Sequence, residues 1–214
     1  MNRRKGRPST KQQIDHSKVL DIAVKAFAQK GFEGTQMKAI ADEAGCAKSL
    51  MNYHFKNKDN LWQKSIIHLC EKLILRFEEL RSHFKDLEGL PALKAYTRQL
   101  IYFSAEYPEF NKLISNEMGL KSERSDWIIE NILQPIHLVF EQEDRMRIKG
   151  ESILENYPVA NLASIMIGAT NIFFSHAYQM ERMYGVNPFD KKEIEQHADI
   201  VIDLLFAKFN HKIN

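Results

Sequence analysis

The stretch that decides the fold is residues 35–58, TQMKAIADEAGCAKSLMNYHFKNK. Four apolar residues in its first half share one face of a short helix that Thr35 can cap: Met37, Ile40, Ala41 and Ala44. Gly45 can adopt the positive φ of a turn. A second short helix is predicted from about Ala47 to His54. The stretch therefore predicts two short helices joined by a tight turn.

The flanking residues predict two longer helices. Val19, Ala23 and Phe27 fall on one face of a helix that ends at Lys30-Gly31, a basic residue followed by glycine. On the other side, Asn57 can cap a helix that begins with Lys58 and runs towards Phe84.

The second short helix presents an inner and an outer set of side chains. Cys46, Met51 and Phe55 are expected to face the core, which leaves hydrogen-bonding groups and an aromatic ring outside. Such groups suit base edges and phosphates. Thr35 and Lys58 lie at helix N-termini, where backbone N–H groups favour an anion. Two helices joined in this way occur both in DNA-binding helix-turn-helix modules and as hairpins in plain bundles.

The order of residues distinguishes between these two interpretations. Gly31-Phe32, Thr35, Ile40-Ala41, Ala44-Gly45, Tyr53-His54-Phe55 and Lys58-Asp59-Asn60-Leu61 resemble the signature of the TetR family over roughly residues 14–64. The resemblance implies a DNA-binding transcriptional regulator that is a repressor released from its operator by a small molecule. The residues expected to contact DNA are Thr35, Gln36, Ala47, Lys48, Ser49, Leu50, Asn52, Tyr53, His54 and Lys58.

Three residues depart from the family pattern. Ala47 replaces the serine that usually opens the recognition helix, so a cap or phosphate contact is lost. Leu50 is bulkier than usual and suits a thymine methyl group or sideways packing. Asn52 replaces the first of two aromatics and suits a phosphate or a bidentate pair with adenine.

The first third of the chain is basic. Residues 1–64 contain 13 Lys and Arg against 6 Asp and Glu, a net charge of +7, whereas the remainder has 17 against 22, a net charge of −5. This asymmetry fits a domain that meets a polyanion, although a solvated basic face has the same composition.

A flexible basic arm is predicted over residues 1–10, ahead of a DNA-binding domain at 11–64. Its Lys5-Gly6-Arg7-Pro8 is close to the core of minor-groove AT-hook peptides. The arm residues expected to reach DNA are Arg3, Arg4, Lys5 and Arg7. A solvated tail that adds non-specific affinity is the alternative.

The helical pattern continues over residues 65–214, so the chain is expected to be all-α with about nine helices. The resemblance implies that this second part is a helical bundle for effector binding and dimerisation. Pro91, Pro108 and Pro158 suit helix starts, and Gly119 suits a helix end. Pro135 predicts a kink inside a helix over 125–146, and a capping box of Asp190 and Glu193 is predicted for the last helix.

Two surfaces of this bundle are predicted from its apolar pattern. The helix over 159–183 is apolar nearly all round, so it is expected to pair with the last helix and with the same helices of a second copy. A monomeric core is the alternative. The predicted dimer residues are Ile165, Gly168, Ala169, Ile194, Ala198, Val201 and Leu205. The candidates for an apolar or aromatic effector are Tyr102, Phe103, Met118, Trp127, His137, Asn171, Phe174 and Tyr178.

The sequence gives less support to an enzyme or a membrane protein. We find no glycine-rich phosphate loop, zinc-type Cys/His cluster or nucleophile elbow, so we expect no enzyme, cofactor or metal. The apolar run over 165–174 is shorter than a membrane span and the N-terminus lacks a signal-peptide pattern, so a cytoplasmic protein with free Cys46 and Cys70 is expected. A DNA-binding protein without an effector and an activator both remain as alternatives.

Overall fold

The computed structural model describes residues 14–83, 86–141, 147–148, 151–152 and 157–209. Within these residues the chain forms eleven α-helices, one π-helical segment, one 3₁₀ turn and a pair of two-residue strands. The predicted all-α class is confirmed. The predicted arm, with Arg3, Arg4, Lys5 and Arg7, lies outside the described residues.

The chain divides into two compact units between Ser65 and Ile66. The helices that begin in the first unit are α1 His16–Gly34, α2 Met37–Ala44, α3 Lys48–Phe55 and α4 Lys58–His83. The boundary between the units falls inside α4.

Side-chain and glycine signals fix the ends of α1 and α2. Asp15 caps α1, because its Oδ1 accepts a hydrogen bond from the Lys18 N–H at 3.0 Å. Regular helical backbone in α1 ends where Gly31 has φ 68°, as the Lys30-Gly31 pair predicted. Gly45 ends α2 with φ 72° and ψ 29°, a conformation that costs glycine little.

The cap predicted for α2 is wrong. Gln36, not Thr35, is the N-cap residue of α2, and its side chain makes no capping hydrogen bond. Thr35 is 2% exposed. Its hydroxyl donates to the carbonyl oxygens of Gly31 and Ala26 at 2.7 and 3.2 Å, so it closes the end of α1. A buried hydroxyl takes the nearest carbonyl acceptors, which the sequence pattern did not identify.

The connection from α3 to α4 is a tight turn followed by a cap. Lys56 has φ 58° and ψ −66°, and the Asn57 N–H donates to the Phe55 carbonyl oxygen at 2.6 Å, which is the geometry of a γ-turn. Asn57 then caps α4 as predicted, because its Oδ1 accepts from the Asn60 N–H at 2.8 Å.

The second unit contains most of the helices. After the end of α4 its elements are α5 Gly89–Glu106, α6 Pro108–Met118, α7 Glu123–Ile128, the π-segment Ile129–Leu133, α8 Gln134–Glu141, β1 Arg147–Ile148, β2 Glu151–Ser152, α9 Val159–Ser175, α10 Ala177–Tyr184, α11 Lys191–Phe206 and the 3₁₀ turn Ala207–Phe209. The two strands pair antiparallel, and the helical patterns did not predict them.

The proline and capping signals in this unit had mixed outcomes. Helix α6 begins at Pro108 and ends before Gly119, as predicted. Pro91 does not open its helix, because it is the third residue of α5. The break predicted at Pro135 takes the form of a π-segment just before it, which is a way for a helix to relieve a missing N–H. The capping box of α11 is wrong, because the Asp190 side chain instead accepts from Asn187 Nδ2 at 2.8 Å.

The core of the second unit lies between α5, α9 and α11. Ile101 of α5 and Phe174 of α9 are 0% exposed and pack with Ala198 and Val201 of α11. A second cluster joins Leu90 and Leu93 of α5 to Ile202 and Phe206 of α11. No helix in the described part of the chain is long and apolar enough to cross a membrane.

The α5–α11 contact also has a polar edge. Arg98 donates to Asp199 Oδ1 at 2.5 Å and to Glu195 Oε2 at 3.4 Å. The hydrogen bond to Asp199 is the main cause that raises the pKa of Arg98. This edge leaves Arg98 charged and fixes the register of the two helices.

Removal of the α4 cap is expected to destabilise the first unit. Asn57→Ala leaves the Asn60 N–H without its acceptor and should cost about 1 kcal/mol. Urea unfolding followed by the fluorescence of Trp62, which is 2% exposed, measures the loss. Gln36→Ala is the matched control, because the Gln36 side chain makes no capping hydrogen bond. Equal losses in the two variants would contradict the assignment of Asn57 as the cap.

Candidate nucleic-acid interface and effector domain

The recognition helix α3 is held by its inner side. Met51 and Phe55 are both 0% exposed, as are the facing apolar positions such as Ile40 of α2. Phe27 of α1 is 1% exposed. Because Met51 and Phe55 are four residues apart, they lie on one side of α3 and fix which side remains outside. The prediction that both point into the core is confirmed, whereas Cys46 is only half-buried.

The outer side of α3 carries most of the predicted DNA contacts. Tyr53 is 79% exposed. The other predicted contacts of α3 and its N-cap that are exposed are Ala47, Lys48, Ser49 and Asn52, whereas Leu50 and His54 are half-buried. Gln36, at the start of α2, is also exposed. Ala47 is the N-cap residue of α3 and provides no side-chain cap. Thr35 departs from this group, because its buried hydroxyl is already occupied and its side chain does not reach the outer surface.

Lys58 is the first residue of α4, and its ammonium group has two partners. Its Nζ lies 4.0 Å from Glu33 Oε2 and 4.3 Å from the centroid of the Phe32 ring. The side chain is 26% exposed and that of Glu33 is 84% exposed, so the ion pair sits at the surface and is weak. Lys58 therefore remains able to exchange Glu33 for a phosphate at the N-terminus of α4.

His54 has a neighbour that the sequence analysis missed. The His16 ring, in the first turn of α1, lies edge to face against it with 4.6 Å between ring centroids. Lys64 Nζ donates to the His54 carbonyl oxygen at 3.4 Å. Burial, His54 and Lys64 together lower the pKa of His16, and Asp15 opposes them. No motif marks His16, since only the packing of α1 against α3 brings the rings together.

Comparison with known proteins fits this geometry. Residues 19–63 match the family model described as bacterial regulatory proteins, tetR family. The N-terminal domain belongs to the TetR family. Those residues include α2, α3 and most of the buried positions that hold them.

Two named relatives extend the comparison. RutR, an HTH-type transcriptional regulator of Escherichia coli K12, is 33% identical over 100 residues, which are 47% of this chain and 46% of that protein. The match thus spans about half the length of that relative. IcaR, the negative transcriptional regulator of the biofilm operon icaADBC in Staphylococcus epidermidis, is 24% identical over 139 residues, 59% of this chain and 74% of that protein.

Solved structures support the whole fold. A TetR-like transcriptional regulator from Rhodococcus sp. RHA1 superposes with a TM-score of 0.61 at 16% identity, covering 94% of this chain and 99% of that one. A TetR-family regulator from Mesorhizobium loti has a TM-score of 0.53 at 22% identity, covering 93% and 98%. At these identities the likeness concerns the fold alone.

The effector candidates do not form one group. Phe103 and Phe174 are core residues, 2% and 0% exposed. The Tyr102 hydroxyl already donates to Glu195 Oε2 at 2.7 Å, and burial is the main cause that raises its pKa. Tyr178 on α10 is 76% exposed. Of the others, Met118 and Trp127 are half-buried and His137 is exposed.

Asn171 is the candidate with a defined polar environment. Its Oδ1 accepts a hydrogen bond from the Ser104 hydroxyl, which also donates to the Leu100 carbonyl oxygen. Asn111 Nδ2 lies 3.5 Å from Ser104 Oγ. We call Ser104, Asn111 and Asn171 the amide cluster. Ser104 and Asn111 were missed, because a serine and an asparagine on amphipathic helices have no distinctive spacing.

Five of the seven predicted dimer residues pack against their own chain. Ala198 and Val201 are 0% and 6% exposed and pack in the core with Ile101 and Phe174. Ile194, Leu205 and Ala169 pack against the same cluster. These residues thus pack within their own chain, and their part in a dimer contact stays a prediction.

A different apolar surface remains outside. Ile165 and Ile172 of α9 are 52% and 48% exposed, and Ile200 and Leu204 of α11 are 47% and 77% exposed. Between the two helices, the His197 ring stacks on Phe173 at 4.4 Å and its Nε2 lies 2.9 Å from the Ala169 carbonyl oxygen. We call Ile165, Ile172, Ile200 and Leu204 the outer apolar face.

Burial disfavours the thiolate form of both cysteines. Burial raises the pKa of the Cys70 thiol to about 12, and burial is also the main cause that raises the pKa of Cys46. Both thiols are free. Across the residues that the structure describes, no group of three His, Cys, Asp or Glu is placed to hold a metal ion.

Proposed function

We propose that the chain is a sequence-specific DNA-binding transcriptional regulator, and that it acts as a repressor. The observation that carries this proposal is the division of α3 into two sides. Met51 and Phe55 are fully buried, while Lys48, Ser49, Asn52 and Tyr53 are exposed on a domain of the TetR family. Repression is inferred from IcaR, whose name describes a negative regulator.

The exposed residues divide into two roles at the DNA. Lys48 and Lys58 lie in the first turns of α3 and α4, where the helix N-termini and the ammonium groups both favour phosphate. Asn52 is exposed in the middle of α3 and has the donor and acceptor that pair with adenine in the major groove. In this arrangement phosphate contacts position the helix and Asn52 supplies base preference.

Substitutions should separate these roles. A duplex of about 30 base pairs, enriched from a random pool by the protein and called the selected duplex, supplies the binding assay. Lys58→Ala should weaken all sequences alike and reduce the salt slope of log K by about one. Asn52→Ala should relax preference at one base pair by about 1–3 kcal/mol. Single-base variants of the selected duplex measure both effects.

Glu33→Gln is the matched control for Lys58. It removes the ion-pair partner of Lys58 without removing the ammonium group, so it should leave the salt slope intact or steepen it. A uniform loss across all duplexes for Asn52→Ala would assign Asn52 to the phosphate backbone. Failure to enrich any duplex would contradict the proposed function itself.

The second part of the proposal is a homodimer on a near-palindromic operator. The outer apolar face supports this part, because it exposes four large apolar side chains on two adjacent helices. Monomeric proteins rarely expose large apolar patches, and such patches mark interaction sites. A Cβ atom added at Gly168, also on α9, would meet no described atom of the chain within 4 Å. Its lack of a side chain thus leaves room for a partner's helix, as a four-helix contact of α9 and α11 from two copies requires.

A charge on the outer apolar face should break the dimer. Leu204→Glu places a carboxylate in the contact, and its desolvation should shift the protein to monomer at micromolar concentration. Sedimentation velocity measures the shift. Leu120→Glu is the control, because Leu120 is 64% exposed and follows α6, away from α9 and α11 in sequence. A wild-type monomer, or a dimer that persists in Leu204→Glu, would contradict the assignment.

The third part is a small apolar or aromatic effector in the second unit. The amide cluster supports it, since Asn171 interrupts an apolar helix and pairs with Ser104. Ser104 follows Phe103 in α5, and the Phe103 ring contacts the rings of Tyr107 and Phe110. A ring with one hydrogen-bonding group matches such surroundings. The effector would release DNA by binding better to the conformation that fits the operator less well. A coupling of about 1–3 kcal/mol corresponds to about 5–150-fold weaker DNA binding.

The burial of Phe103 and Phe174 favours a second candidate, a regulator without an effector. A screen of aromatic and apolar metabolites against the complex with the selected duplex separates the two candidates. An active compound should bind more weakly to Asn171→Ala, while Asn161→Ala, an exposed position on the same helix, should bind it normally. If no compound changes DNA affinity, the regulator without an effector replaces this part of the proposal.

A further inference from the structure

Two histidines meet at the rim of the recognition surface. His16 is exposed at the start of α1, and its ring lies 4.6 Å from that of His54, centroid to centroid, at an interplanar angle of 86°. The centroid of the Tyr53 ring lies 5.0 Å from that of His54, and Tyr53 is itself 79% exposed. The pair therefore joins the N-terminus of α1 to the outer side of α3.

We propose that His16 and His54 form a proton-binding pair within the DNA interface, so that the protein takes up a proton when it binds DNA. This inference rests on the proposed DNA-binding function. It adds His16 to the interface and makes DNA affinity depend on pH near neutrality, where histidine is the side chain that ordinarily titrates.

The charges around His16 oppose its protonation in the free protein. Around His16, His54 comes from α3 and Lys64 from α4, and both disfavour a positive charge. Asp15, the residue before α1, favours a positive charge on His16. The first turn of a helix also disfavours a cation. Together with partial desolvation of its ring, which is the largest cause, these groups lower the pKa of His16, so His16 is poorly protonated in the free protein at neutral pH.

The apolar neighbours keep the two rings together. The Phe55 ring lies 5.5 Å from that of His16 and is itself 0% exposed. Lys64 donates to the His54 carbonyl oxygen and lies over Phe55, 5.5 Å from the ring centroid. The rings are thus positioned by the same core that positions α3. They do not simply move apart to relieve the repulsion that a proton on one of them creates.

DNA reverses this electrostatic balance. A phosphate near the rim stabilises an imidazolium, so the pKa of His16 is higher in the complex than in the free protein. The added affinity is fully present below the pKa of His16 in the free protein and is lost as the pH rises through its pKa in the complex. DNA binding should therefore strengthen on acidification, by up to about tenfold per pH unit for each proton taken up per binding event.

The test measures affinity for the selected duplex between about pH 5.5 and 8 at constant salt. The wild type should bind more tightly as the pH falls. His16→Gln should flatten this dependence while retaining the salt slope measured at the alkaline end. His83→Gln is the matched control, because His83 is an exposed histidine at the last residue of α4 and should leave the pH dependence unchanged.

A second measurement uses the unaltered protein. Calorimetric titration with the selected duplex in two buffers of different ionisation enthalpy gives the number of protons taken up. His54→Gln should reduce this number as His16→Gln does, and the double variant should add little, because the two rings act as one pair. Thermal melting of each variant establishes that it is folded at the pH of the assay.

The outcomes distinguish this inference from the proposed function. Salt-dependent binding of the selected duplex with no proton uptake would overturn the histidine pair and leave the DNA-binding function standing. Proton uptake that persists in both single variants would also overturn it. Absence of binding at every pH would instead contradict the proposed function. If His16→Gln does not fold, the wild-type calorimetry and the His54→Gln variant decide.

Discussion

The burial of Met51 and Phe55 is the constraint on which the rest of the first unit depends. Each side chain is 0% exposed, and burying each contributes about 1.5–3 kcal/mol. Because the two residues lie on one side of an eight-residue helix, they fix its rotation as well as its position. Every exposed side chain on α3 is outside because these two are inside.

The connections at both ends of α3 serve the same constraint. Gly45 in its left-handed conformation turns the chain between α2 and α3, and the γ-turn at Lys56 turns it again before α4. A positive φ at Lys56 costs free energy for a residue with a Cβ atom. That cost is offset because the burial of Phe55 before the turn and the Asn57 cap after it both stabilise this conformation.

In the second unit the governing contact is α5 against α11. It buries apolar residues of α11 that the sequence pattern had assigned to a dimer contact. The ion pairs of Arg98 with Glu195 and Asp199 then fix the two helices laterally. What remains for a partner is the outer apolar face, rotated away from Ala198 and Val201 towards Ile200 and Leu204. A helix that is apolar on several sides is used twice, once within the chain and once, as we propose, between chains.

The sequence by itself determined the elements whose signals are local. The periodicity of α2 and α3, the glycines at 31 and 45, the Asn57 cap and the identity of the buried Met51 and Phe55 all follow from short-range stereochemistry, which acts within a few residues. The same locality explains why the family signature was recognisable in the first third of the chain.

Only the tertiary structure decided what depends on residues distant in sequence. Thr35 closes α1 rather than capping α2 because a buried hydroxyl bonds to the carbonyls that packing places nearby. The side of α11 that faces α5, the meeting of Ser104 with Asn171 and that of His16 with His54 likewise need a partner that no local pattern names. Helical periodicity shows which residues share a side, but the neighbouring helix decides whether that side is core, partner surface or binding site.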